Sequence, residues 1–224
     1  MSATVKYCIW DVGQVVRRFS LQPLDKLMRN LSELPEQYAE SGGVLKFDYK
    51  PVMKGEESFE KCCRRLADFC GVNWNDGLTK QIDQALHDGN GAFFEETKQV
   101  MAALKKKKIA NCMLSNALPN LVDTGNVFGL VEDIHVFCSF DLGLLKPDPK
   151  IYETVRERLK CRFEEMIFVD DKPQNVVAAA NLGIKGIVFK SETIVAEVEV
   201  LAGSLDLLEG NEYFNRRIKR GESL

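Results

Sequence analysis

Five short apolar segments are spread along the chain, at residues 5–10, 109–114, 134–139, 166–169 and 184–189. They are continuously apolar rather than alternating with polar residues, which is typical of strands covered on both faces of a parallel sheet. Helical patterns, including those at 93–107 and 174–183, alternate with them. This order predicts an α/β fold with a parallel, Rossmann-like sheet and right-handed crossovers.

The first two predicted strands are separated by far more residues than one crossover helix needs. Most of the intervening sequence has helical character, at 21–31, 57–70 and 78–88, and glycines mark the joints between these stretches. We therefore expect a helical subdomain at residues 16–90. It is inserted into an α/β core formed by residues 1–15 and 91–224.

Composition narrows the class of protein. The 224 residues are 45% hydrophobic and 28% charged, with a net charge of −3, which is the balance of a soluble globular protein without a nucleic-acid partner. No apolar run is long enough to cross a membrane, and the N-terminus lacks the layout of a signal peptide. Seven cysteines without a C-x-x-C pair, beside two histidines, argue against structural zinc and favour reduced thiols in a cytoplasmic protein. The sequence leaves open whether this protein is a monomer or a homodimer.

Residues that suit a phosphate or a cation follow four of the predicted strands. They are Asp11, Ser115 with Asn116, Lys146, and Asp170 with Asp171. Because ligands bind at the carboxyl ends of strands in open α/β sheets, we expect these side chains to converge. Several carboxylates around one point indicate Mg²⁺, while a hydroxyl and an ammonium group suit phosphate oxygens. The set predicts phosphoryl transfer to a carboxylate nucleophile.

The segments IWDVG, MLSNA, LLKPDPKIY and IFVDDKPQN resemble, in order, the four motifs of the haloacid dehalogenase (HAD) superfamily. VMKGEESFEKCCRRL also resembles the entry to that family's small α-helical cap. The resemblance implies the HAD fold and a Mg²⁺-dependent phosphatase acting on a small phosphorylated metabolite. It implies that Asp11 forms an aspartyl-phosphate, that Ser115 and the backbone at Asn116 hold the phosphoryl group, and that Lys146 bridges phosphate and nucleophile.

The resemblance also implies a set of metal ligands. Asp171 is similar to the direct ligand of Mg²⁺, and Asp170 to a direct or water-mediated one. Asp11 and the main-chain carbonyl of Gly13 complete the set. Asn175 is similar to the polar residue that steadies the motif lysine or the waters on the metal.

Gly13 departs from the motif of many phosphatases in this family, which place a second aspartate there as a general acid and base. Glycine carries no proton, so leaving groups that need little protonation, such as those of acyl or anomeric phosphates, are favoured. The D-x-G motif also resembles that of a subgroup of active sugar-phosphate phosphatases. Two alternatives stay open: a 2-haloacid dehalogenase, in which Asp11 attacks carbon without a metal, and a catalytically weak phosphate-binding or regulatory module.

Overall fold

A five-stranded parallel sheet forms the centre of the protein. In the computed structural model, which describes residues 4–121 and 135–203, the strands are β1 (Tyr7–Trp10), β4 (Ala110–Ser115), β5 (His135–Cys138), β6 (Met166–Asp170) and β7 (Lys185–Val188). Their order across the sheet is β5-β4-β1-β6-β7, and every neighbouring pair is parallel. The predicted α/β class and all five strand positions are confirmed. Residue 134 of one predicted strand and residues 204–224 of the predicted core lie outside the described residues.

Both faces of the sheet are covered by helices, which explains why the strands are continuously apolar. The core helices are α6 (Glu95–Lys106), α7 (Ser139–Leu142), α8 (Pro149–Leu159), α9 (Pro173–Ala180) and α10 (Ile194–Ala202). Trp10 of β1 packs in one hydrophobic cluster with residues of α6 and α10. Its neighbour Ile9 points to the opposite face and packs with residues of α8 and α9.

The insertion between β1 and β4 contains five helices with a hydrophobic cluster of their own. They are α1 (Gln22–Leu31), α2 (Pro35–Ser41), α3 (Lys50–Met53), α4 (Phe59–Phe69) and α5 (Leu78–Asp88). Leu78, Ile82 and Leu86 recur every four residues on α5, so they share one helix face and are all buried. We call this helical unit the cap.

A two-stranded antiparallel ribbon connects the cap to the core. Its strands are β2 (Arg17–Phe19) and β3 (Asn90–Phe93). The sequence did not predict this ribbon, and α6 begins at Glu95 rather than at residue 93 because Phe93 pairs with Arg17 in β3. Of the predicted cap boundaries, residue 16 directly precedes β2 and residue 90 is the first residue of β3, and that division of the chain stays a prediction.

The cap is docked against the core at two points. Gly55, with φ of 70°, passes so close to the core that a Cβ there would lie 2.5 Å from the carbonyl oxygen of Phe140. On the other side, Asn120 Nδ2 donates to Asp83 Oδ1 of the cap at 3.2 Å. These contacts enclose a cleft between cap and core. In the described parts of the chain, no helix is both long and apolar enough to cross a membrane.

Candidate active site

Three neighbouring strands bring the predicted site residues to one edge of the sheet. β1 lies between β4 and β6, with Trp10 opposite Met113 on one side and Val169 on the other. The chain proceeds from β1 to β4 and β5 on one side and returns to β6 and β7 on the other. This reversal is the position at which open α/β sheets bind ligands. Asp11 follows β1 directly, and its N–H donates to the carbonyl of Val169 at 2.8 Å.

Lys146 is the centre of the polar network. Its Nζ donates to Asp11 Oδ1 at 2.6 Å, to Asp170 Oδ2 at 2.7 Å and to the carbonyl of Leu114 at 2.8 Å. An ammonium group has three hydrogens, and here each has an acceptor. The side chain is buried, as are those of Asp11 and Asp170. The ammonium group is therefore fixed between the two carboxylates.

Two asparagines hold this network in place. Asn116 bonds both main-chain groups of Lys146: its Oδ1 accepts from the N–H and its Nδ2 donates to the carbonyl, each at 2.9 Å. Asn175 Nδ2 donates to both oxygens of Asp170, at 2.9 and 3.0 Å. The hydroxyl of Tyr152 donates to the carbonyl of Asn175 at 2.9 Å. Asn175 thus acts on Lys146 through Asp170, a connection that the sequence did not resolve.

The carboxylates of Asp11, Asp170 and Asp171 lie close to one another and to the single buried ammonium group of Lys146. Burial raises the pKa of Asp11; the charges of Asp170 and Asp171 add to this shift, and Lys146 opposes it. Burial alone would lower the pKa of Lys146, but the charges of Asp11 and Asp170 outweigh it and raise that pKa. Burial also raises the pKa of Asp171, partly offset by Lys172. One ammonium group does not neutralise three carboxylates that lie this close together.

The carboxylates fit a hard divalent cation. Asp11, Asp170 and Asp171 each offer an oxygen that lies within 4.8 Å of the other two. Asp171 Oδ1 is buried and has no hydrogen-bond partner among the described residues, so a cation would satisfy it. Both oxygens of Asp170 already accept hydrogen bonds, including one from the N–H of Lys172 at 2.9 Å. An all-oxygen set of this kind matches the ligand preference of Mg²⁺.

The network opens into a cleft of about 300 Å³ between core and cap. Of the predicted site residues, Asp170 lies beneath the cleft and the others line it, namely Asp11, Gly13, Ser115, Asn116, Lys146, Asp171 and Asn175. A Cβ added at Gly13 would have no heavy atom within 4 Å, so the glycine leaves open space beside Asp11.

Sequence reasoning missed other residues of the cleft. Lys172 lines it, and its position directly after Asp170 and Asp171 at a strand end was a usable signal. Tyr49 and Met53 of the cap line it as well. Neither belongs to a recognisable motif, because an apolar cap residue looks the same whether it faces a ligand or a protein core.

Comparison with known proteins agrees with this geometry. The family model of the haloacid dehalogenase-like hydrolases matches residues 29–183. A sesquiterpene phosphatase of Aspergillus oryzae is 24% identical over 199 residues, covering 84% of this chain and 91% of its own length. The bifunctional epoxide hydrolase 2 of Rattus norvegicus is 26% identical over 193 residues, or 76% of this chain. The aligned region spans only 34% of that longer protein.

A solved structure shows the same fold. A HAD family enzyme of Bacteroides thetaiotaomicron, in complex with magnesium and inorganic phosphate, superimposes with a TM-score of 0.66. It is 19% identical, and the alignment covers 84% of this chain and 95% of that one. The same assignment follows from the order of the motifs, the sheet, the buried lysine between two carboxylates and the match of the family model over most of the chain. The chain belongs to the haloacid dehalogenase-like hydrolase family.

Proposed function

We propose that this protein is a Mg²⁺-dependent phosphatase that cleaves a small phosphorylated metabolite through an aspartyl-phosphate on Asp11. The observation that carries the proposal is the position of Asp11. It lies at the carboxyl end of the central strand, with its Oδ1 2.6 Å from Lys146 Nζ, and it lines the cleft. A carboxylate fixed in this way is a nucleophile whose direction of attack is set before the substrate arrives.

The steps follow from what the side chains can do. Lys146 holds Oδ1 of Asp11, and the carboxylate attacks phosphorus while the bond to the leaving oxygen breaks. Ser115, at the end of β4, and the backbone at Asn116 hold the phosphoryl oxygens. Water then hydrolyses the acyl-phosphate, which releases inorganic phosphate and restores the carboxylate. Mg²⁺ held by Asp11, Asp171, the carbonyl of Gly13 and, directly or through water, Asp170 would offset the charge of the transferring group.

Proton transfer to the leaving group has no assigned residue. Gly13 supplies none, and the carboxyl groups among the described residues of the cleft are those of Asp11 and Asp171. The leaving group would then take its proton from water or from a residue of the cap. This favours acyl, anomeric and aryl phosphates, whose leaving groups need little protonation. On leaving-group chemistry alone, an anomeric sugar phosphate is one candidate of this kind.

Two of the similar proteins and one feature of the site support a phosphatase. One similar protein is named a sesquiterpene phosphatase, and the solved Bacteroides enzyme holds magnesium and inorganic phosphate. A haloacid dehalogenase needs no metal, whereas the unpartnered oxygen of Asp171 is suited to one.

A phosphate-release screen tests the proposal. Purified protein is assayed against a panel of phosphorylated metabolites and p-nitrophenyl phosphate, with Mg²⁺ and with a chelator, and Asp11→Asn provides the blank. We expect release that requires Mg²⁺ and that Asp11→Asn abolishes. The variant keeps the shape of the side chain, and circular dichroism checks its fold. If p-nitrophenyl phosphate and the whole panel stay intact, the enzyme claim is wrong. Dehalogenation of 2-haloacids that survives chelation would instead identify the alternative hydrolase.

A further inference from the structure

The cleft beside Asp11 has one polar end and one apolar end. The polar end is formed by the residues at the carboxyl ends of the strands. The apolar end is formed by residues from the cap, from the ribbon and from the segment after β4. The described members of this apolar wall are Phe19, Leu21, Tyr49, Met53, Leu118 and Leu121. A ligand bound through its phosphate at the polar end therefore places the rest of the molecule against hydrocarbon.

Several polar groups that line the cleft are already engaged within the protein. The side-chain amide of Gln14 donates to the carbonyl of Phe19 at 2.6 Å. Both ends of the Asn116 amide bond the backbone of Lys146. The guanidinium group of Arg17 donates to the carbonyl of Gly91 at 3.3 Å. The Asn116 amide therefore has little capacity left for the hydroxyl groups of a ligand, while Gln14 and Arg17 each have one donor already engaged within the ribbon region.

Tyr49 contributes its ring rather than its hydroxyl to the cleft. The hydroxyl oxygen is buried and has no hydrogen-bond partner among the described residues. The ring packs edge-on against Phe47 of the cap, with the centroids 4.8 Å apart. An oxygen without accessible surface cannot bind a ligand hydroxyl, so the cap side of the wall remains apolar at this residue too.

On the premise that the protein is the phosphatase proposed above, we propose that, among phosphate monoesters whose leaving groups are equally basic, it prefers those of apolar alcohols to those of sugars. The phosphate lies at Asp11 and Lys146, and the hydrocarbon lies against the cap wall. A sugar in the same place would bury several hydroxyl groups against carbon without partners, which is unfavourable. A hydrocarbon chain instead gains from every methylene that leaves water.

A homologous series separates the apolar contact from the chemistry. Propyl, butyl, pentyl and hexyl phosphate have leaving groups of nearly equal basicity, so chain length is the main variable. We expect kcat/KM to rise about fourfold for each buried methylene, or roughly 60-fold from propyl to hexyl phosphate if burial is complete. Glucose 6-phosphate has the same number of carbons as hexyl phosphate, and we expect it to be the poorer substrate.

A cap variant with a matched control locates the effect. Met53→Gln replaces an apolar side chain of the wall by a polar one of similar length. We expect it to lower the ratio of kcat/KM for hexyl over propyl phosphate. Leu45→Gln makes a similar change on the cap at a residue that is 72% exposed and outside the cleft, and the ratio should not change. Both substrates are measured on the same sample, so the fraction of folded protein cancels in the ratio of their kcat/KM values.

The outcomes distinguish this inference from the proposal on which it rests. A hexyl-to-propyl ratio above about tenfold that falls in Met53→Gln and holds in Leu45→Gln supports it. Hydrolysis of p-nitrophenyl phosphate with a ratio below that value, or with glucose 6-phosphate preferred over hexyl phosphate, overturns the apolar substrate class and leaves the phosphatase intact. No hydrolysis of any phosphate, p-nitrophenyl phosphate included, overturns both.

Discussion

Replacing Gly13 by aspartate is expected to speed the hydrolysis of phosphates whose leaving groups are poor. The structure accepts the new side chain, because no heavy atom lies within 4 Å of a Cβ built at this position. The φ angle of Gly13 is outside the left-handed region, so the backbone is not strained by a side chain. The added carboxyl group would lie in the lining of the cleft, two residues from the proposed nucleophile Asp11.

The size of the effect depends on the substrate. A positioned general acid contributes about 10²–10⁴-fold, which corresponds to about 3–5 kcal/mol of activation free energy. An alkyl phosphate, whose alkoxide leaving group needs a proton in the transition state, should gain most of this factor. p-Nitrophenolate leaves without a proton, so p-nitrophenyl phosphate should gain little. The selectivity between these substrates is the measured quantity.

The assay compares kcat/KM for hexyl phosphate and p-nitrophenyl phosphate in the wild type and in three variants at position 13. Gly13→Asp should increase the alkyl-to-aryl ratio. Gly13→Asn has nearly the same shape without a transferable proton, and Gly13→Ala adds only the Cβ; both should keep the wild-type ratio. If folded Gly13→Asp also keeps that ratio, or if Gly13→Asn raises it equally, the missing general acid is not what limits this enzyme.

Three further changes test the network and the fold. Lys146→Met should abolish activity and, in the presence of a chelator, lower the free energy of unfolding by about 3–5 kcal/mol in urea titrations, because two buried carboxylates lose their counter-charge. An unchanged unfolding midpoint would contradict this. Gly55→Ala should lower the Tm and weaken substrate binding through its clash with the carbonyl of Phe140 and its φ of 70°. Hydrogen bonding from Lys6 helps lower the pKa of Glu165 to about 2. The contribution of the Glu165 carboxylate to the stability of the folded protein is therefore present above pH ~4.5 and is lost as the pH falls towards 2. The difference in unfolding free energy between wild type and Glu165→Gln should therefore shrink over that range. A difference that stays constant would show that the Lys6–Glu165 ion pair does not stabilise the protein.

The strands could be predicted because they are buried on both faces. Ile9 and Trp10 point to opposite sides of the sheet, and both are covered by helices. A run of apolar residues that is too short for a buried helix and is followed by an acid is therefore a reliable signal in this fold class. The same logic placed Asp11, Asp170 and Ser115 together, since they end three adjacent parallel strands.

The contacts within the site could not be predicted in the same way. That Asn175 holds Asp170 rather than Lys146, and that Asn116 bonds the main chain of Lys146, depends on distances of about 3 Å between segments far apart in sequence. The β2–β3 ribbon was missed because its strands are short and pair across the whole cap. A strand of three or four residues carries too few positions to show a period.

The polar residues of the cleft are held by the sheet and its apolar cap residues by the cap cluster, and this division explains why the sequence allowed a proposal about the chemistry but not about the substrate. Asp11 and Asp170 are anchored at strand ends in the sheet, where neighbouring strands fix their register. Tyr49 and Met53 pack against the cap cluster, which reaches the sheet through the ribbon and a few docking contacts. Substitutions in the cap wall can therefore alter which leaving group is bound without displacing Lys146 from Asp11. Motif residues indicate the type of reaction because their positions relative to the sheet are fixed. The choice of substrate depends instead on cap residues that belong to no motif.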